Sequence, residues 1–464
     1  MSDVLLGSEQ KPAILVIFGI TGNLAKLKLL PALYHLVKDN RLHPQTIILG
    51  ASRRPVSVDE LLKTVEVCVL EEDNVCDPEA LKDLQRRLRM YQIDPEQEAD
   101  YDGLLAYLNS LEDETGMCMD RLYYLSVPPA VYPAVVHHLG VHGLNASCQH
   151  GNATTRLLVE KPFGHDVASA ETLIAEMAEQ FEEDQVFRID HYLAKESAQN
   201  ILTFRRHNPV FMDSWNGRHI SQIKVLAHEQ IGIAGRVNFY DQVGALRDLV
   251  QSHLLQLLTL VMLDLAKDDD DIALHQAKAI VLDSLSPVDV GSIVRGQYNG
   301  YTSEVDNPDS RTETYVRLNL TSDLLRWQGT DILIETGKSL DTKKTEIQIV
   351  FHEADETGNR LTFRIQPNEG IDLQLTAKKP GFGKTLQKVS MDFSYHGVFE
   401  DPKHPDAYER VLVDALNGDH SLFATSDEVM ASWRVLQPIL DYWQANNNLL
   451  TYEPGSRGPA NSAE

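Results

Sequence analysis

The first half of the chain alternates short runs of aliphatic residues with charged stretches of helical period. The stretches 59–70 and 78–90 repeat apolar residues every three or four positions, as helices with one solvated face do. The aliphatic runs lie at Ala13–Phe18, 46–50, 121–127 and 156–159. Strands that alternate with helices in this way predict a Rossmann-like, doubly wound parallel sheet.

The pattern changes after about residue 190. A long apolar helix is predicted near 246–263. Segments that alternate apolar and polar residues follow at 312–320, 347–351 and 372–377. These features predict an α+β domain with helices and a large, mainly antiparallel sheet.

A chain of 464 residues exceeds what one hydrophobic core normally organises, so two domains are expected. We predict a Rossmann-like cofactor domain at 1–190 and a domain for substrate binding and oligomerisation at 191–454. The remainder, 455–464, is rich in Gly, Ser, Pro and Ala and is predicted to be disordered.

The net charge of the chain limits the kinds of molecule that it is expected to bind. With 42 Lys and Arg against 68 Asp and Glu, the formal net charge is −26. Such a field repels nucleic acid and anionic membrane surfaces unless a basic patch is segregated, and the sequence shows no such patch. Any phosphorylated substrate must therefore be captured by a few local cations.

Neither secretion nor membrane insertion is expected. No segment approaches the roughly 18 consecutive apolar residues of a spanning helix, and the N-terminus lacks the pattern of a secretory leader. Cys68, Cys76, Cys118 and Cys148 have no metal-ligand spacing, so we expect reduced thiols, no structural disulfide, no metal and a cytoplasmic location. The acidic run at 268–271 is interpreted as a solvated loop rather than a metal site.

A candidate cofactor turn follows the first strand. Gly19 and Gly22 would let the backbone approach a pyrophosphate at a helix N-terminus, but the spacing is neither GxGxxG nor GxxxxGK[ST], and an ordinary turn could have it. The second strand ends in Arg53 and Arg54, where an NAD enzyme usually places an acid. Arginines there suit a 2′-phosphate and favour NADP over NAD, although they could be surface charges.

The segment 188–196, near the predicted domain boundary, contains several ionisable side chains close together. It contains Asp190, His191, Tyr192 and Lys195. If a helix begins near His191, then His191 and Lys195 form an i,i+4 pair able to clamp a phosphate. The alternative is that these residues only cap and solvate a helix.

His253 is a second candidate for a catalytic residue. The sequence pattern around it, taken alone, favours a histidine buried in the hydrophobic core. It falls in phase with Leu246, Leu249 and Leu257 on an apolar helical stripe. Asp248 lies five residues earlier, about 140° around an α-helix, so periodicity does not place both side chains in one pocket.

The segment Arg188-Ile189-Asp190-His191-Tyr192-Leu193-Ala194-Lys195-Glu196 resembles the active-site signature of the glucose-6-phosphate dehydrogenase family, RIDHYLGKE, with Ala194 in place of glycine. The resemblance runs from Phe18 to about Pro438. It continues through 160–164, 244–256, 296–298, 337–340 and 365–371.

This resemblance implies an activity and a set of roles. It implies that His253 removes a proton from the C1 hydroxyl of glucose 6-phosphate while hydride leaves for NADP, giving 6-phosphoglucono-1,5-lactone, and that Asp190 orients the imidazole. The implied ligands of the 6-phosphate are His191, Tyr192 and Lys195. The implied ligands of the sugar hydroxyls are Lys161, Glu229, Asp248, Lys338 and Lys343. The implied cofactor residues are Gly19, Thr21, Gly22, Asn23, Leu24, Lys28, Arg53, Arg54 and Lys161.

Other readings remain open at this point. The chain could be a dehydrogenase of another sugar, since a wider family also carries a Glu-Lys-Pro segment like 160–162, or a catalytically silent sugar-phosphate sensor. The phosphate clamp counts against an unphosphorylated sugar. A large exposed sheet in the second domain predicts a homodimer or homotetramer.

Overall fold

The computed structural model describes residues 10–63, 76–146, 153–233, 237–265, 271–352, 358–398 and 405–460. The chain divides into two compact units. Unit 1 consists of Met1–Gly164, Ala168–Ala194 and Pro405–Ser426. Unit 2 consists of His165–Val167, Lys195–His404 and Asp427–Glu464.

The strands and helices occur along the chain in the following order. Up to residue 194 they are β1 (Ala13–Phe18), a π-helical turn (Ala25–Leu29), α1 (Leu30–Lys38), β2 (Ile47–Ser52), α2 (Val58–Lys63), α3 (Pro78–Arg87), β3 (Leu88–Gln92), α4 (Asp100–Thr115), β4 (Asp120–Leu125), α5 (Tyr132–Val141), β5 (Thr155–Val159), α6 (Val167–Ala178) and β6 (Val186–Ile189). From 195 to 398 they are α7 (Glu196–His207), β7 (Ile220–His228), α8 (Val237–Ala245), a π-helix (Leu246–Leu254), α9 (Leu255–Met262), α10 (Asp271–Asp283), β8 (Leu285–Pro287), β9 (Val294–Tyr298), α11 (Tyr301–Glu304), β10 (Tyr315–Ser322), β11 (Asp331–Gly337), β12 (Lys344–Phe351), β13 (Arg360–Gln366), β14 (Gly370–Lys378), β15 (Leu386–Ser394) and α12 (Tyr395–Val398). The last are α13 (Ala407–Asn417), β16 (Phe423–Ala424), α14 (Ser426–Ala445) and β17 (Leu450–Tyr452).

Unit 1 is built on the predicted parallel sheet, with strand order β16-β6-β5-β4-β1-β2-β3. Every neighbouring pair is parallel except β16 with β6, where Phe423 lies opposite Ile189. All six residues of β1 are buried, which explains why this strand is a continuous apolar run: helices cover both faces of such a sheet. The Rossmann-like fold class is therefore confirmed.

Unit 2 is built on a ten-stranded sheet, in which β8 pairs with β10 beside the path β15-β14-β13-β12-β7-β11-β10-β9-β17. The pairs β7 with β11 and β9 with β17 are parallel, and the other pairs are antiparallel. The prediction of a large, mainly antiparallel sheet is confirmed.

Two local expectations are wrong. The helix predicted for 78–90 ends at Arg87, because Leu88 turns to an extended conformation and starts β3 beside β2. Residues 455–460 of the tail are ordered: Gly455 N donates to Ser339 O at 2.7 Å, and Asp341 N donates to Ser456 O at 2.8 Å. Backbone bonds of this kind order a segment whose side chains are small and polar. Residues 461–464 and 268–270 lie outside the described part of the chain.

The expectation of reduced cysteines is also wrong for Cys76 and Cys118, each of which takes part in a disulfide. Cys68 and Cys148 lie outside the described residues. Which sulfur atoms approach each other depends on the folded path of the chain, and spacing along the sequence does not give it. Among the residues described, no helix has both the length and the apolar character needed to cross a membrane.

Candidate functional site

Unit 1 contains a cleft of about 1000 Å³ at the carboxyl ends of β1, β2 and β4. In an open parallel sheet this edge is where ligands bind. The cleft is lined by Gly19, Thr21, Gly22, Lys26, Ala51, Ser52, Arg53, Arg54, Pro55, Val56, Glu60, Leu61, Lys63, Pro95, Glu96, Ser126, Val127, Pro128 and Val131.

The turn after β1 needs glycine at its first position. Gly19 has a φ of +81°, and a Cβ on it would lie 2.2 Å from the backbone oxygen of Ser126. Gly19 N donates to Ala51 O at 3.0 Å, and Gly22 N donates to Gly19 O at 2.8 Å. The turn is therefore tied to the ends of two neighbouring strands and leaves its backbone open to the cleft.

The structure separates the predicted cofactor residues into two groups. Gly19, Thr21, Gly22, Arg53 and Arg54 line the cleft. Asn23, Leu24 and Lys28 are not among its lining residues: Asn23 is exposed, Leu24 packs against the core of unit 1, and Lys28 Nζ lies 3.8 Å from Asp406 Oδ2.

The cleft is locally cationic although the chain is strongly acidic. Four cationic side chains line it against two carboxylates, those of Glu60 and Glu96. Glu60 already accepts hydrogen bonds from Ser57 N at 2.9 Å and Ser57 Oγ at 3.1 Å. The four cations are Lys26, Arg53, Arg54 and Lys63. Lys26 and Lys63 could not be identified from the sequence, because a lysine on a surface helix has no distinguishing pattern until the fold places it at a cleft.

Lys161 follows the partly buried Glu160 at the end of β5. Tyr124 Oη donates to Glu160 Oε1 at 2.5 Å, and Tyr132 Oη donates to the carbonyl oxygen of Glu160 at 3.1 Å. Burial raises the pKa of Glu160 to about 7, although the Tyr124 hydroxyl and the Lys161 ammonium both favour the carboxylate. The Lys161–Pro162 peptide bond is cis.

The segment after β6 is a turn and not the predicted helix start. The buried Asp190 accepts from Tyr192 N at 2.9 Å through Oδ1, and its carbonyl accepts from Leu193 N at 3.1 Å. Since α7 begins at Glu196, His191 and Lys195 are not an i,i+4 pair on a helix. Aspartate bonds of this type favour turns over helices, which explains the difference.

The side chains of this segment have different surroundings. The His191 ring stacks on Tyr408, with 6.5 Å between ring centroids and 12° between planes. Tyr192 is buried. Lys195 belongs to unit 2, where its Nζ donates to Gln366 Oε1 at 2.5 Å.

Glu229 and Lys338 follow the neighbouring parallel strands β7 and β11. Glu229 N donates to Gly337 O at 2.9 Å, and the Lys338 ammonium forms an ion pair with the Glu229 carboxylate. Lys338 is buried, and its Nζ lies 5.0 Å from the centroid of the Tyr240 ring. Lys343 is exposed on the connection between β11 and β12.

Tyr240 connects this pair to Asp248. Burial, followed by the charges of Asp248 and Glu313, raises the pKa of the Tyr240 hydroxyl well above 10. The Tyr240 ring therefore lies beside the Lys338 ammonium, and its hydroxyl is within electrostatic range of Asp248. No sequence pattern points to Tyr240, which is a single aromatic residue on a helix.

Asp248 and His253 lie on the π-helix Leu246–Leu254, and both are buried. Leu255 N donates to Val250 O, five residues earlier. In this register residues five apart fall on nearly the same face, so the separation of about 140° expected for an α-helix does not apply. The π-helical register thus puts Asp248 and His253 on nearly the same side of the helix, which the α-helical period alone did not predict.

The start of the π-helix is fixed by a buried carboxyl group. Leu246 N donates to Glu313 Oε1 at 3.0 Å, and Ala245 N donates to Glu313 O at 3.0 Å. Gly244 has a φ of +71°, and a Cβ on it would lie 2.4 Å from Glu313 Oε1. A glycine at this position is needed for the close approach.

Comparison with known proteins identifies the same family over both halves of the chain. The NAD binding domain model of glucose-6-phosphate dehydrogenase matches residues 16–200, and the C-terminal domain model matches 202–464. The glucose-6-phosphate 1-dehydrogenase of Chlamydia pneumoniae is 38% identical, covering 97% of this chain and 93% of its own. The enzyme of that name from Bacillus subtilis is 35% identical, covering 98% and 96%.

Solved structures agree with these matches. A glucose-6-phosphate dehydrogenase in complex with its substrate glucose 6-phosphate superposes with a TM-score of 0.90 at 32% identity, covering 97% of this chain and 96% of its own. The Mycobacterium avium enzyme gives 0.85 at 34% identity, covering 97% and 95%. A 3-ketoreductase from Actinomadura kijaniata, at 13% identity and a TM-score of 0.52, covers 95% and 99% and shares the fold alone. This chain therefore belongs to the glucose-6-phosphate dehydrogenase family.

Proposed function

We propose that this chain oxidises D-glucose 6-phosphate at C1 to 6-phospho-D-glucono-1,5-lactone with transfer of hydride to NADP⁺. The observation that carries the proposal is that Asp248 and His253 are both buried on one π-helix, in a chain that matches the family over nearly its whole length.

His253 acts as the general base. Its imidazole takes the proton of the C1 hydroxyl as the C1–H bond breaks and the hydride leaves, so C1 becomes the carbonyl carbon of the lactone. The nicotinamide ring supplies the hydride acceptor when the cofactor is bound. Asp190 fixes the imidazole tautomer and favours the imidazolium that forms, as a carboxylate does in other base–orienter pairs.

The remaining polar residues bind the sugar phosphate. His191, Tyr192 and Lys195 bind the 6-phosphate, since it needs cations or hydroxyl donors in a protein whose overall charge is −26. The sugar hydroxyls are bound by Lys161, Glu229, Asp248, Lys338 and Lys343. Glu229 and Lys338 are already paired, which orients both groups before substrate arrives.

The cofactor lies in the cleft of unit 1, and NADP is preferred over NAD. Gly19, Thr21 and Gly22 bind the pyrophosphate, while Arg53 and Arg54 bind the 2′-phosphate. Asn23, Leu24 and Lys28 complete the turn that carries these groups, and Lys161 contacts both cofactor and substrate.

An absorbance assay tests the activity. Purified protein is mixed with NADP⁺ and glucose 6-phosphate, and reduced nicotinamide is followed beside reactions with glucose, with NAD⁺ and with a His253→Asn variant. We expect a rapid signal only with the phosphorylated sugar, and its loss in the variant. No signal from protein that is folded and binds NADP⁺ would refute the proposal.

We further propose that the enzyme is a homodimer or homotetramer that associates through β14 and β15. On one face of this hairpin Leu373 lies opposite Met391 and Leu375 opposite Val389. Met391 is 64% exposed and Val389 40% exposed. An exposed apolar face of this kind is typical of an interface, and a second copy of the chain would cover it symmetrically.

The cytoplasm is the proposed location, because a phosphosugar and a dinucleotide are too strongly charged to cross a bilayer unaided. The disulfides of Cys76 and Cys118 count against it, since disulfides are rare in that compartment. Titration of thiols in protein denatured under anaerobic conditions directly from the cell tests the point. Reduced Cys76 and Cys118 would support the cytoplasm, and oxidised thiols would contradict it.

A further inference from the structure

Two glutamines flank His253, Gln251 on the π-helix and Gln256 on α9, which directly follows it, and neither has a part in the proposed chemistry. Gln251 and Gln256 are each only 4% exposed. Gln251 Nε2 donates to Ser432 Oγ at 2.8 Å, and Gln256 Nε2 donates to Glu428 Oε2 at 2.8 Å. Both acceptors lie on α14, four residues apart and therefore on one face of that helix.

The two bonds require the π register. Residues five apart on an α-helix diverge by about 140°, so Gln251 and Gln256 could not both reach one face of α14. The bond from Leu255 N to Val250 O adds one residue to the turn. This brings the Gln251 and Gln256 side chains to the same side of the helix. Asp248 and His253 are also five residues apart, so the same register puts them on nearly the same side of the helix.

The acceptor for Gln256 is held as a fixed anion. Glu428 is fully buried, with Lys278 Nζ 2.8 Å from Oε2 and His275 Nδ1 2.7 Å from Oε1. Burial alone would raise the pKa of Glu428, but Lys278 and His275 outweigh it and hold that pKa at about 2. A hydrogen bond to such a charged acceptor is stronger than one between neutral groups.

We infer that Gln251 and Gln256 are positioning residues, whose bonds to Ser432 and Glu428 hold the π register and so fix the direction of the His253 side chain relative to Asp248. The inference rests on the proposed role of His253 as the base. Loss of the register removes one residue from the turn and rotates the two halves of the helix relative to each other by about 100°. His253 would then point away from the face that Asp248 occupies.

The test uses the full-length enzyme with Gln251→Met, Gln256→Met and the double variant. Methionine keeps the length and volume of the side chain but cannot donate. We expect kcat to fall on the order of tenfold for each single variant and about a hundredfold for the double variant, because small displacements of a base cost that much. The KM for glucose 6-phosphate should change far less. Gln185→Met, which removes two bonds from Gln185 to backbone carbonyls in unit 1, is the matched control and should keep the wild-type kcat.

Two further measurements separate positioning from general loss of structure. Ser432→Ala should lower kcat as Gln251→Met does, and the two changes together should be no worse than either alone, since they break one bond. A crystal structure of the double variant should show Leu255 N bonded to Gln251 O instead of Val250 O.

The outcomes are distinguishable. Wild-type kcat in folded double variant, or a retained π register, would overturn the inference while leaving the proposed function intact. A parallel fall of kcat in the Gln185→Met control would overturn it as well. Wild-type enzyme without activity on glucose 6-phosphate would instead refute the proposed function.

Discussion

At the scale of single residues, Glu160 shows how burial changes a group that sequence describes only as acidic. Its pKa is about 7 in the folded protein, against an ordinary value of 4.5. An acid whose pKa is raised by folding is more easily deprotonated in the unfolded chain. The stability of the protein therefore falls as pH rises from about 4.5 to about 7. Above that range the folded protein bears the full free-energy cost of holding Glu160 as a carboxylate.

The substitution Glu160→Gln should remove this cost, since glutamine is neutral and its side-chain oxygen can still accept from Tyr124. We expect variant and wild type to be similar at pH 4, and the variant to be more stable at pH 8 by up to roughly 3 kcal/mol. Thermal unfolding at a series of pH values measures the difference. Glu171→Gln, on an exposed position of α6, is the control. A difference independent of pH would contradict the raised pKa.

Arg53 and Arg54 carry the prediction on cofactor preference. Their carbonyl oxygens accept from Gln92 Nε2 at 3.2 Å and Ser52 Oγ at 2.7 Å, so the backbone is fixed where both residues line the cleft. Arg53→Ala or Arg54→Ala should raise the KM for NADP⁺ by on the order of tenfold or more and leave that for NAD⁺ nearly unchanged, because only NADP⁺ has the 2′-phosphate. Steady-state kinetics with both cofactors and the exposed control Arg86→Ala test it. Equal losses with both cofactors would contradict a contact to the 2′-phosphate.

At the scale of elements, the π-helix depends on a contact that its own sequence does not reveal. Gly244→Ala places a Cβ 2.4 Å from Glu313 Oε1 at a positive φ, and should displace the carboxyl group that accepts from Leu246 N. We expect a loss of stability of about 2 kcal/mol or more, with a fall in kcat because His253 is on the displaced helix.

The control for this substitution is Gly329→Ala, also in unit 2. Gly329 has a φ of +84°, but the nearest atom to its added Cβ is at 4.0 Å, so it reports the backbone strain without the clash. Chemical denaturation of both variants gives the comparison. Equal destabilisation would show that strain alone, and not the Glu313 contact, requires the glycine.

The elements differ in how far sequence could predict them. Buried strands such as β1 are continuous apolar runs and half-buried strands such as β12 alternate, so both sheets could be predicted. The packing of α13 against unit 1 could not be predicted, because the apolar stripe of Val411, Leu412 and Ala415 could pack in the hydrophobic core of either unit. The π register was equally hidden, since it is set by partners on α14 and by Glu313 far along the chain.

In the molecule as a whole, the candidate site could be predicted from the sequence where ionisable residues are clustered in one short segment. Asp190, His191 and Lys195 lie in one short segment, which matches a family signature. Tyr240, Lys26 and Lys63 were missed, because each is an isolated residue whose neighbours come from other elements. A local cluster of ionisable residues in the sequence indicates a site. The full set of residues in that site depends on the tertiary fold.

The apolar face of β14 and β15 is the proposed contact between copies of the chain. If β14 and β15 form the interface, an aspartate at Met391 would have to be buried against apolar side chains of the second copy. Burying an unpaired carboxylate costs several kcal/mol, more than most interfaces can absorb at one residue. Met391→Asp should therefore shift the protein to monomers in sedimentation velocity at micromolar concentration.

Lys388→Asp gives the matched control, because Lys388 lies on the same strand but pairs with Thr376 on the opposite, polar face of the hairpin. It adds negative charge to β15 without touching the apolar face, and should leave the wild-type sedimentation unchanged. Equal dissociation of both variants would attribute the effect to charge on an already acidic protein. A wild-type protein that sediments as a monomer, or a Met391→Asp variant that stays associated, would show that this face is not the interface.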